Sequence, residues 1–223
     1  MITFNQVYKN YPPDNPAITQ LSFHIEQGEM IFIQGPSGAG KSTLLNLIAG
    51  ITPVSQGEIT VDNLNIHQLS NRQTALYRRR LGMIFQNPML LNSRSVYDNV
   101  AIPLMVSGFY PSEIPKRVNT ALEKVGLLHK AKVLPPTLSG GEQQRLSIAR
   151  AIVHKPAILL ADEPTKNLDP TFSAEIMDLL ARFNQDGVTI LVATHDQNYL
   201  QSRLYTQTSR QMDLQQGQIT CFN

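Results

Sequence analysis

Cysteine is almost absent from this chain of 223 residues, which contains Cys221 and no second cysteine. A lone cysteine forms no disulfide within the chain and cannot build a zinc module from several thiolates. Long apolar runs are missing too, since none approaches the ~18–20 residues that span a bilayer. Residues 1–11 have neither the basic end nor the apolar stretch of a signal peptide. These absences predict a cytoplasmic protein that reaches a membrane only through a partner.

A strong excess of charge is also missing. The chain carries 19 Lys+Arg against 17 Asp+Glu, a formal net charge of +2. A protein that neutralises many phosphates needs a concentrated cationic surface, so this balance argues against nucleic acid as a partner. A charged fraction of 16% beside 42% hydrophobic residues indicates a folded chain with a sizeable core. The length predicts one or two domains.

Short β-like runs alternate with helical patterns, which indicates an α/β fold. The apolar runs at residues 30–34, 158–161 and 188–193 are typical of strands buried on both faces of a parallel sheet. Two earlier runs, residues 2–7 and 21–25, predict an antiparallel N-terminal layer.

Helical signals follow several of these runs. Residues 41–49 are apolar enough for a buried helix, and apolar residues recur at helical spacing between Phe172 and Phe183. Asp169-Pro170 predicts the beginning of this second helix and Asp186-Gly187 its end, because a capping side chain and a first-turn proline favour a helix start.

The middle of the chain, residues 88–137, alternates helical patterns with prolines. We interpret it as a small helical subdomain inserted into a single domain, with the prolines at its joints. The predicted catalytic core is residues 1–86 and 138–223, and the helical subdomain is residues 87–137. The prolines concerned are Pro103, Pro111, Pro115, Pro135 and Pro136.

A glycine-rich loop between a predicted strand and a predicted helix matches the pattern G-x-x-x-x-G-K-S/T. Glycines let backbone N–H groups converge on phosphate oxygens, and a helix N-terminus favours negative charge. Lys41 is suited to the β and γ phosphates and Ser42 to Mg²⁺. The loop predicts nucleotide binding, with an ordinary glycine-rich turn as the alternative. Its predicted binding residues are Gly35, Pro36, Ser37, Gly38, Ala39, Gly40, Lys41, Ser42 and Thr43.

Polar side chains follow two of the other predicted strands. Asp162, after residues 158–161, is suited to the Mg²⁺ shell, and Glu163 can polarise an attacking water. His195 follows residues 188–193 and would lie over the same crevice, at the carboxyl ends of the strands. The alternatives are a solvated Asp-Glu turn and a structural histidine.

A second glycine-rich segment, Leu138-Ser139-Gly140-Gly141-Glu142-Gln143-Gln144-Arg145, precedes an apolar helix. A serine hydroxyl and glycine N–H groups at a helix N-terminus form a second phosphate-binding design. In combination with the first loop and the acidic pair, this segment resembles the signature of the ATP-binding-cassette (ABC) ATPases. Gln86, Asn167-Leu168-Asp169 and Tyr11 fall in the order expected for that family.

The resemblance covers essentially the whole chain. It implies a P-loop α/β fold with a mostly parallel core sheet, an antiparallel layer and an inserted helical subdomain. It also implies an ATPase that packs head to tail with a second copy, each ATP lying between the Lys41 loop of one and the Ser139 loop of the other. The family roles fall on Glu163, His195 and Gln86 for catalysis; on Ser42, Gln86 and Asp162 for Mg²⁺; and on Tyr11, Ser139, Gly140, Gly141, Gln143 and Asp169 for ATP.

The segments after Gln86 resemble one branch of this family, the bacterial cell-division cassettes that dock onto the integral membrane protein FtsX. Residues 84–86, 96–104 and 125–128 carry this resemblance. It implies an FtsX-type partner and a peripheral position on the cytoplasmic side of the inner membrane, at the division site. Lipoprotein-release and macrolide-export cassettes share the motifs and are the alternative. Lys166 departs from the branch, where glycine is usual beside the dimer seam.

Other functions fit the motifs less well. DNA-repair cassettes insert long coiled coils, for which the stretch between Gln86 and Ser139 is too short. Ribosome-associated types usually carry two cassettes in a longer chain. A scaffold that binds ATP without hydrolysing it is disfavoured by the presence of Glu163 and His195. Tyr11 is either an adenine-stacking residue, as the resemblance implies, or a simple surface aromatic.

Overall fold

Two β-sheets and six α-helices form the part of the chain described by the computed structural model, residues 1–166, 168–195 and 209–223. Asn167 of the expected signature set, and Asp196 after His195, lie outside the described residues. The strands are β1 (Ile2–Tyr11), β2 (Asn15–Ile25), β3 (Met30–Gln34), β4 (Gln56–Val61), β5 (Leu64–Asn65), β6 (Leu81–Ile84), β7 (Ile158–Asp162), β8 (Thr189–Ala193), β9 (Ser209–Gln215) and β10 (Gln218–Phe222). The helices are α1 (Lys41–Ile48), α2 (Asn71–Arg78), α3 (Val96–Val106), α4 (Ile114–Lys124), α5 (Gly140–Ile152) and α6 (Pro170–Gln185).

The core sheet has six strands in the order β10-β9-β3-β8-β7-β6. From β9 to β6 all pairings are parallel, and only β10 runs antiparallel to its neighbour. Every residue of β8 is buried, as are the first four of β3 and of β7. The prediction that these apolar runs form parallel strands buried on both faces is confirmed, because helices or the second sheet cover each face.

The second sheet is antiparallel, with the order β2-β1-β4-β5. It contains the predicted N-terminal strands, and both run longer than the apolar runs that predicted them. On its inner face Ile2, Phe4 and Val7 are at most 2% exposed. The rings of Phe4 and Phe23 stack with centroids 4.3 Å apart. The layer therefore closes one side of the domain.

Two apolar cores lie on opposite faces of the core sheet. One packs α1 and the antiparallel layer against the sheet, with the fully buried Leu44, Leu47 and Ile48 of α1 at its centre. The other joins α3, α4, α5 and α6 to the opposite face in one continuous cluster. Since α1 and α5 are each pinned to the sheet by such a core, the loops that begin them have fixed positions.

The helix ends follow the sequence signals. Asp169 accepts hydrogen bonds from the backbone N–H groups of Thr171 (3.0 Å) and Phe172 (3.2 Å), so it caps α6 as predicted. Ser139 caps α5 in a reciprocal capping box with Glu142. Helix α6 ends at Gln185, directly before the Asp186-Gly187 pair.

The middle of the chain is helical as predicted, with α3, α4 and two short 3₁₀ turns at Leu128–Lys130 and Pro135–Thr137. The expectation that prolines mark its joints is wrong at Pro103, which lies inside α3. The helix continues past this proline, since Ser107 N–H donates to the Pro103 carbonyl (3.0 Å) one turn on. The exact division between core and helical subdomain stays a prediction. No helix among the described residues is long and apolar enough to cross a membrane.

Candidate nucleotide-binding site

Strand register brings the predicted site residues to one edge of the core sheet. Ile33 of β3 and Asp162 of β7 both pair with Ala193 of β8, and Ile84 of β6 pairs with Ala161. The glycine-rich loop, the acidic pair and His195 therefore all leave the sheet at its carboxyl edge. Ligands bind at this edge in open α/β sheets.

The shape of the loop depends on its glycines. Gly35 has φ +146°, and a Cβ there would stand 2.1 Å from the Leu214 carbonyl oxygen of β9. Gly40 has φ +105° and caps α1, and a Cβ there would stand 2.5 Å from the Ala17 carbonyl oxygen. These positions require glycine on both counts, since the left-handed backbone and the close approach each exclude a side chain.

Lys41 is held over the loop that precedes it. It is 7% exposed, and its Nζ donates to the carbonyl oxygens of Gly35 (2.6 Å) and Pro36 (3.1 Å). No carboxylate among the described residues forms an ion pair with Lys41. A buried cation with carbonyl partners alone is poised to bind an anion in the loop.

Asp162 and Ser42 form the candidate magnesium site. The Ser42 hydroxyl hydrogen-bonds to the Asp162 side chain, so the two oxygens are adjacent. Asp162 Oδ1 is buried and has no hydrogen-bond partner among the described residues. A carboxylate oxygen with spare acceptor capacity beside a hydroxyl is the donor set that Mg²⁺ accepts from protein in phosphate sites. These residues therefore fit the ion.

The electrostatics of Asp162 reflect this position. Burial raises the pKa of its carboxyl above the ordinary value, and the hydrogen bond from Ser42 opposes that shift. The negative charge of Glu163 raises the pKa further, whereas the cations Lys41 and Lys166 lower it. The carboxylate is consequently more costly to ionise here than in water, unless a further cation faces it.

Asp162→Asn tests this cost. Because folding raises the pKa of Asp162, the folded chain binds the proton more tightly than the unfolded chain, and stability falls as pH rises between the two pKa values. We expect the Asn variant, without nucleotide or Mg²⁺, to resist urea better than the parent above the folded pKa. The advantage should vanish below the unfolded pKa, in a series from about pH 3 to 8. A parent that is more stable than the Asn variant at pH 8 would contradict the assignment. The control is Asp14→Asn on an exposed turn, which should not change the stability in this way.

Glu163 and His195 form a second pair at the same edge. His195 Nδ1 lies 2.8 and 2.9 Å from the two carboxylate oxygens of Glu163. Glu163 is 9% exposed, has φ +48°, and its backbone N–H donates to the Ala193 carbonyl (2.8 Å). A buried carboxylate in a left-handed conformation, oriented by an imidazole, has the geometry of a positioned base.

Gln86 and Tyr11 are two further site residues that the sequence predicted. Gln86 is exposed, two residues past the end of β6. Continuing the β6–β7 register, in which Ile84 pairs with Ala161, places it level with Glu163. Tyr11 ends β1 half-exposed, with the Nζ of Lys9 4.9 Å from its ring centroid. Neither side chain makes a hydrogen bond to the cluster among the described residues, so their assigned roles stay predictions.

The Ser139 loop is built separately from the Lys41 loop. Glu142 N–H donates to the Ser139 hydroxyl (3.3 Å), and the Gln143 side chain donates to the carbonyls of Pro135 (3.3 Å) and Leu138 (3.2 Å). A Cβ on Gly140 would meet nothing within 4 Å, which leaves its backbone open to a ligand. Among the described residues, no hydrogen bond joins residues 139–141 to residues 35–43.

Two contacts that the sequence did not predict connect these loops to the rest of the site. The Gln144 side chain donates to the Pro164 carbonyl (2.9 Å), so the turn after the acidic pair is tied to the helix behind the Ser139 loop. Leu214 of β9 lies against Gly35. Gln144 lies within the predicted segment that runs from Leu138 to Arg145 and could have been suspected, whereas no motif indicates Leu214.

Asp169 and Lys166 flank the turn after the acidic pair. The sequence predicts two roles for Asp169, the cap of α6 and, by resemblance, a part in ATP binding. The structure confirms the cap, because the Asp169 side chain accepts hydrogen bonds from the first N–H groups of α6. Its role in ATP binding stays a prediction. Lys166 is exposed, and its backbone N–H donates to the Glu163 carbonyl (3.1 Å). Its charge acts on Asp162, so the departure from glycine places a cation beside the candidate magnesium site.

Known proteins agree with this fold. The family model described as ABC transporter matches residues 18–166. The chain is 52% identical over 219 residues to the cell division ATP-binding protein FtsE of Escherichia coli (strain K12), covering 98% of this chain and 97% of that one. It is 43% identical over 196 residues to FtsE of Bacillus subtilis (strain 168), covering 88% and 86%.

A structure with the same fold is the ATP-binding cassette MJ0796, in a dimeric post-hydrolysis state bound to ADP and Pi. It superimposes with a TM-score of 0.92 at 34% identity, over 100% of this chain and 98% of that one. The cbiO1 structure from Clostridium perfringens gives a TM-score of 0.87 at 32% identity, over 100% and 87%.

The chain belongs to the ABC transporter family, with an ATPase cassette fold of mixed sheet and antiparallel layer. It is an ATP-hydrolysing subunit, and its curated relatives named above are cell-division proteins of the FtsE type. The fold class and the enzyme class predicted from the sequence are confirmed.

Proposed function

We propose that two copies of this chain dimerise around ATP and Mg²⁺ and drive an FtsX-type membrane protein in bacterial cell division. The chain would then lie on the cytoplasmic side of the inner membrane, held there by that partner. The resemblance to FtsE proteins over nearly the whole chain supports the partner, and the dimeric form of the similar cassette MJ0796 supports the dimer.

The separation of the two phosphate-binding designs carries the dimer proposal. Lys41 and the acidic pair share the carboxyl edge of the sheet, whereas residues 139–141 make no hydrogen bond to the Lys41 loop within the described chain. A helix N-terminus with open glycine N–H groups is suited to phosphate. In a single copy it lacks a phosphate to bind, so a head-to-tail second copy would complete both sites.

The hydrolysis step follows from the residues at the sheet edge. Lys41 exchanges its carbonyl partners for the β and γ phosphates of ATP, and Ser42 and Asp162 would hold Mg²⁺. When bound, the ion neutralises charge on the phosphate oxygens. Glu163 accepts a hydrogen bond from the attacking water and polarises it toward the γ phosphate. His195 holds the Glu163 carboxylate in place, since its Nδ1 is within 2.9 Å of both oxygens.

The surface after Gln86 supports a membrane protein as partner. Arg150 donates to the carbonyls of Pro88 (2.5 Å) and Met89 (2.9 Å), which fixes this loop on α5. Large apolar side chains are exposed on this loop and at the end of α3, a feature that marks interaction sites. They are Met89 (69% exposed), Leu91 (45%), Met105 (62%), Val106 (56%) and Tyr110 (75%).

Co-purification tests the partner. We expect the tagged chain, with ATP present, to retain the FtsX of the same genome from detergent-solubilised membranes. The double variant Met105→Asp/Val106→Asp should retain at least roughly tenfold less FtsX than the parent, since charge in an apolar contact is strongly unfavourable. Leu64→Asp/Leu76→Asp, at exposed positions on β5 and α2, is the matched control. Retention of a lipoprotein-release or macrolide-type protein in place of FtsX would contradict the assignment.

A further inference from the structure

One large cavity among the described residues has no part in the ATP site. It is a cleft of about 1080 Å³ between α4, the end of α5, and the segments that lead into β7 and β8. Pro156 and Ala157 precede β7, and Gly187 and Val188 precede β8, so the cleft lies at the amino edge of the core sheet. The ATP loops occupy the opposite, carboxyl edge.

The floor of the cleft is apolar. Ile152 and Val153 at the end of α5 are 6% and 5% exposed, and Leu159 of β7 is fully buried. Ala121 of α4 and Phe183 of α6 face the same space. An occupant would therefore contact aliphatic and aromatic surface along its inner side.

The rim of the cleft is cationic. Lys116, Lys124 and Lys155 line it, and all three are exposed. Among the described residues Lys116 and Lys155 make no ion pair, whereas Lys124 Nζ lies 4.9 Å from the ring centroid of Phe183.

In the part of the chain that the structure describes, two carboxylates line the cleft, Glu113 and Asp186. Arg117, a fourth cation of the lining, lies 3.9 Å from Glu113 and so offsets part of the negative charge. The cleft as a whole is left with an excess of positive charge, which favours an anionic occupant.

The spacing of the cations distinguishes between kinds of anion. Lys116 and Lys124 are eight residues apart on one helix, which corresponds to ~12 Å along its axis. A single phosphate group is too small to contact both. An elongated ligand with several carboxylates on one side and apolar groups on the other matches the rim and the floor together.

We propose that this cleft binds an acidic amphipathic segment of a protein partner, with its apolar side chains on the floor and its carboxylates beside Lys116, Lys124 and Lys155. Such a segment would contact α4 on one side and the core sheet with α6 on the other. It would hold the helical part of the chain against the sheet, at a distance from the ATP loops. The site is independent of the FtsX-type partner.

A binding assay on the whole chain tests the cleft. The probe is a fluorescein-labelled helical peptide of leucine and glutamate, with leucines on one face, read by fluorescence anisotropy. We expect it to bind more tightly than a scrambled peptide of the same composition. Lys116→Glu/Lys124→Glu/Lys155→Glu should weaken binding by at least about tenfold, since like charges across an interface are strongly unfavourable.

The matched control is Arg79→Glu/Arg94→Glu/Lys132→Glu, which makes the same change in net charge at exposed positions outside the cleft. It should bind the peptide within about twofold of the parent. Equal weakening by both triple variants, or equal binding of the scrambled peptide, would overturn the proposal. Full competition by inorganic pyrophosphate would overturn it in favour of a small-anion site. If the chain self-associates, and only Lys116→Glu/Lys124→Glu/Lys155→Glu abolishes this, the cleft binds a second copy and the proposal is overturned.

Discussion

Lys41→Ala should remove most of the ATP affinity of this chain. Lys41 is 7% exposed, and among the described residues its ammonium group hydrogen-bonds to the Gly35 and Pro36 carbonyls alone, so it is the fixed positive charge of the loop. Hydrogen bonds to charged groups contribute about 1.5–3 kcal/mol each. Loss of the two bonds from Lys41 to the β and γ phosphates therefore corresponds to a loss of roughly 10²–10⁴-fold in ATP affinity. Displacement of a fluorescent ATP analogue measures this loss.

A second substitution separates charge from packing at this position. Lys41→Met keeps the aliphatic stem and should lose ATP affinity to a similar extent, while both variants keep the melting temperature of the nucleotide-free parent to within a few degrees. Lys132→Ala, an exposed lysine away from the loop, should bind ATP normally. Unchanged affinity in both Lys41 variants would refute the assignment of this lysine to the phosphates.

Glu163→Gln should slow ATP hydrolysis by roughly 10²–10⁴-fold, the usual contribution of a positioned general base. Glutamine has the same shape and can still accept a hydrogen bond from His195, but its amide is a poor proton acceptor. ATP affinity should be retained, because Glu163 is not among the groups that hold the loop. Phosphate release under saturating ATP measures the rate, and Glu123→Gln on the exposed side of α4 is the control.

The same variant should accumulate the ATP-bound dimer. In a Cys221→Ser background, Ser37→Cys and Ser139→Cys on separate copies should form a disulfide when Glu163→Gln is present with ATP. A cysteine at Gln185, at the far end of α6, should not cross-link to Ser37→Cys. A variant that hydrolyses ATP at the parental rate would place the base elsewhere, and an absent Ser37–Ser139 cross-link would contradict the head-to-tail arrangement.

The roles of His195 and Gln86 differ in how far geometry supports them. His195 touches the Glu163 carboxylate and so has an observed partner at the site. For Gln86 the support is its position beyond β6, since the β6–β7 register places it level with Glu163. Tyr11 likewise has no observed hydrogen bond to the site among the described residues, and its ring contacts Lys9.

The parallel strands that the sequence predicted were those with continuous apolar runs. β3, β7 and β8 are buried on both faces, so nearly every residue is apolar and the pattern is unmistakable. β9 is different, because only Met212 and Leu214 of its seven residues are buried. β10 has no fully buried residue. Such polar strands form through tertiary pairing at one end of the sheet, and propensity does not reveal them.

Pro103 shows the same limit for helices. Proline disfavours a helix interior because its ring clashes with the preceding turn and it lacks an N–H. The flanking Val100 and Leu104 are buried in the α3–α4–α5 core, and this packing keeps the helix continuous through the proline. Local preference was outweighed by burial that only the folded chain provides.

The sequence by itself determined the chemistry: a lysine in a glycine loop, an acidic pair after an apolar strand, and a serine-glycine helix start. These are local patterns, because phosphate binding depends on backbone N–H groups and charges that neighbouring residues supply. Tertiary structure decided which groups meet. Parallel register brings Glu163 and His195 to one edge of the sheet, and α1 and α5, which follow the two glycine loops, belong to different apolar cores. The placement of α4 beside the end of α5 leaves a cationic cleft that no motif indicates. Long-range pairing fixes such positions, and a local pattern carries no information about it.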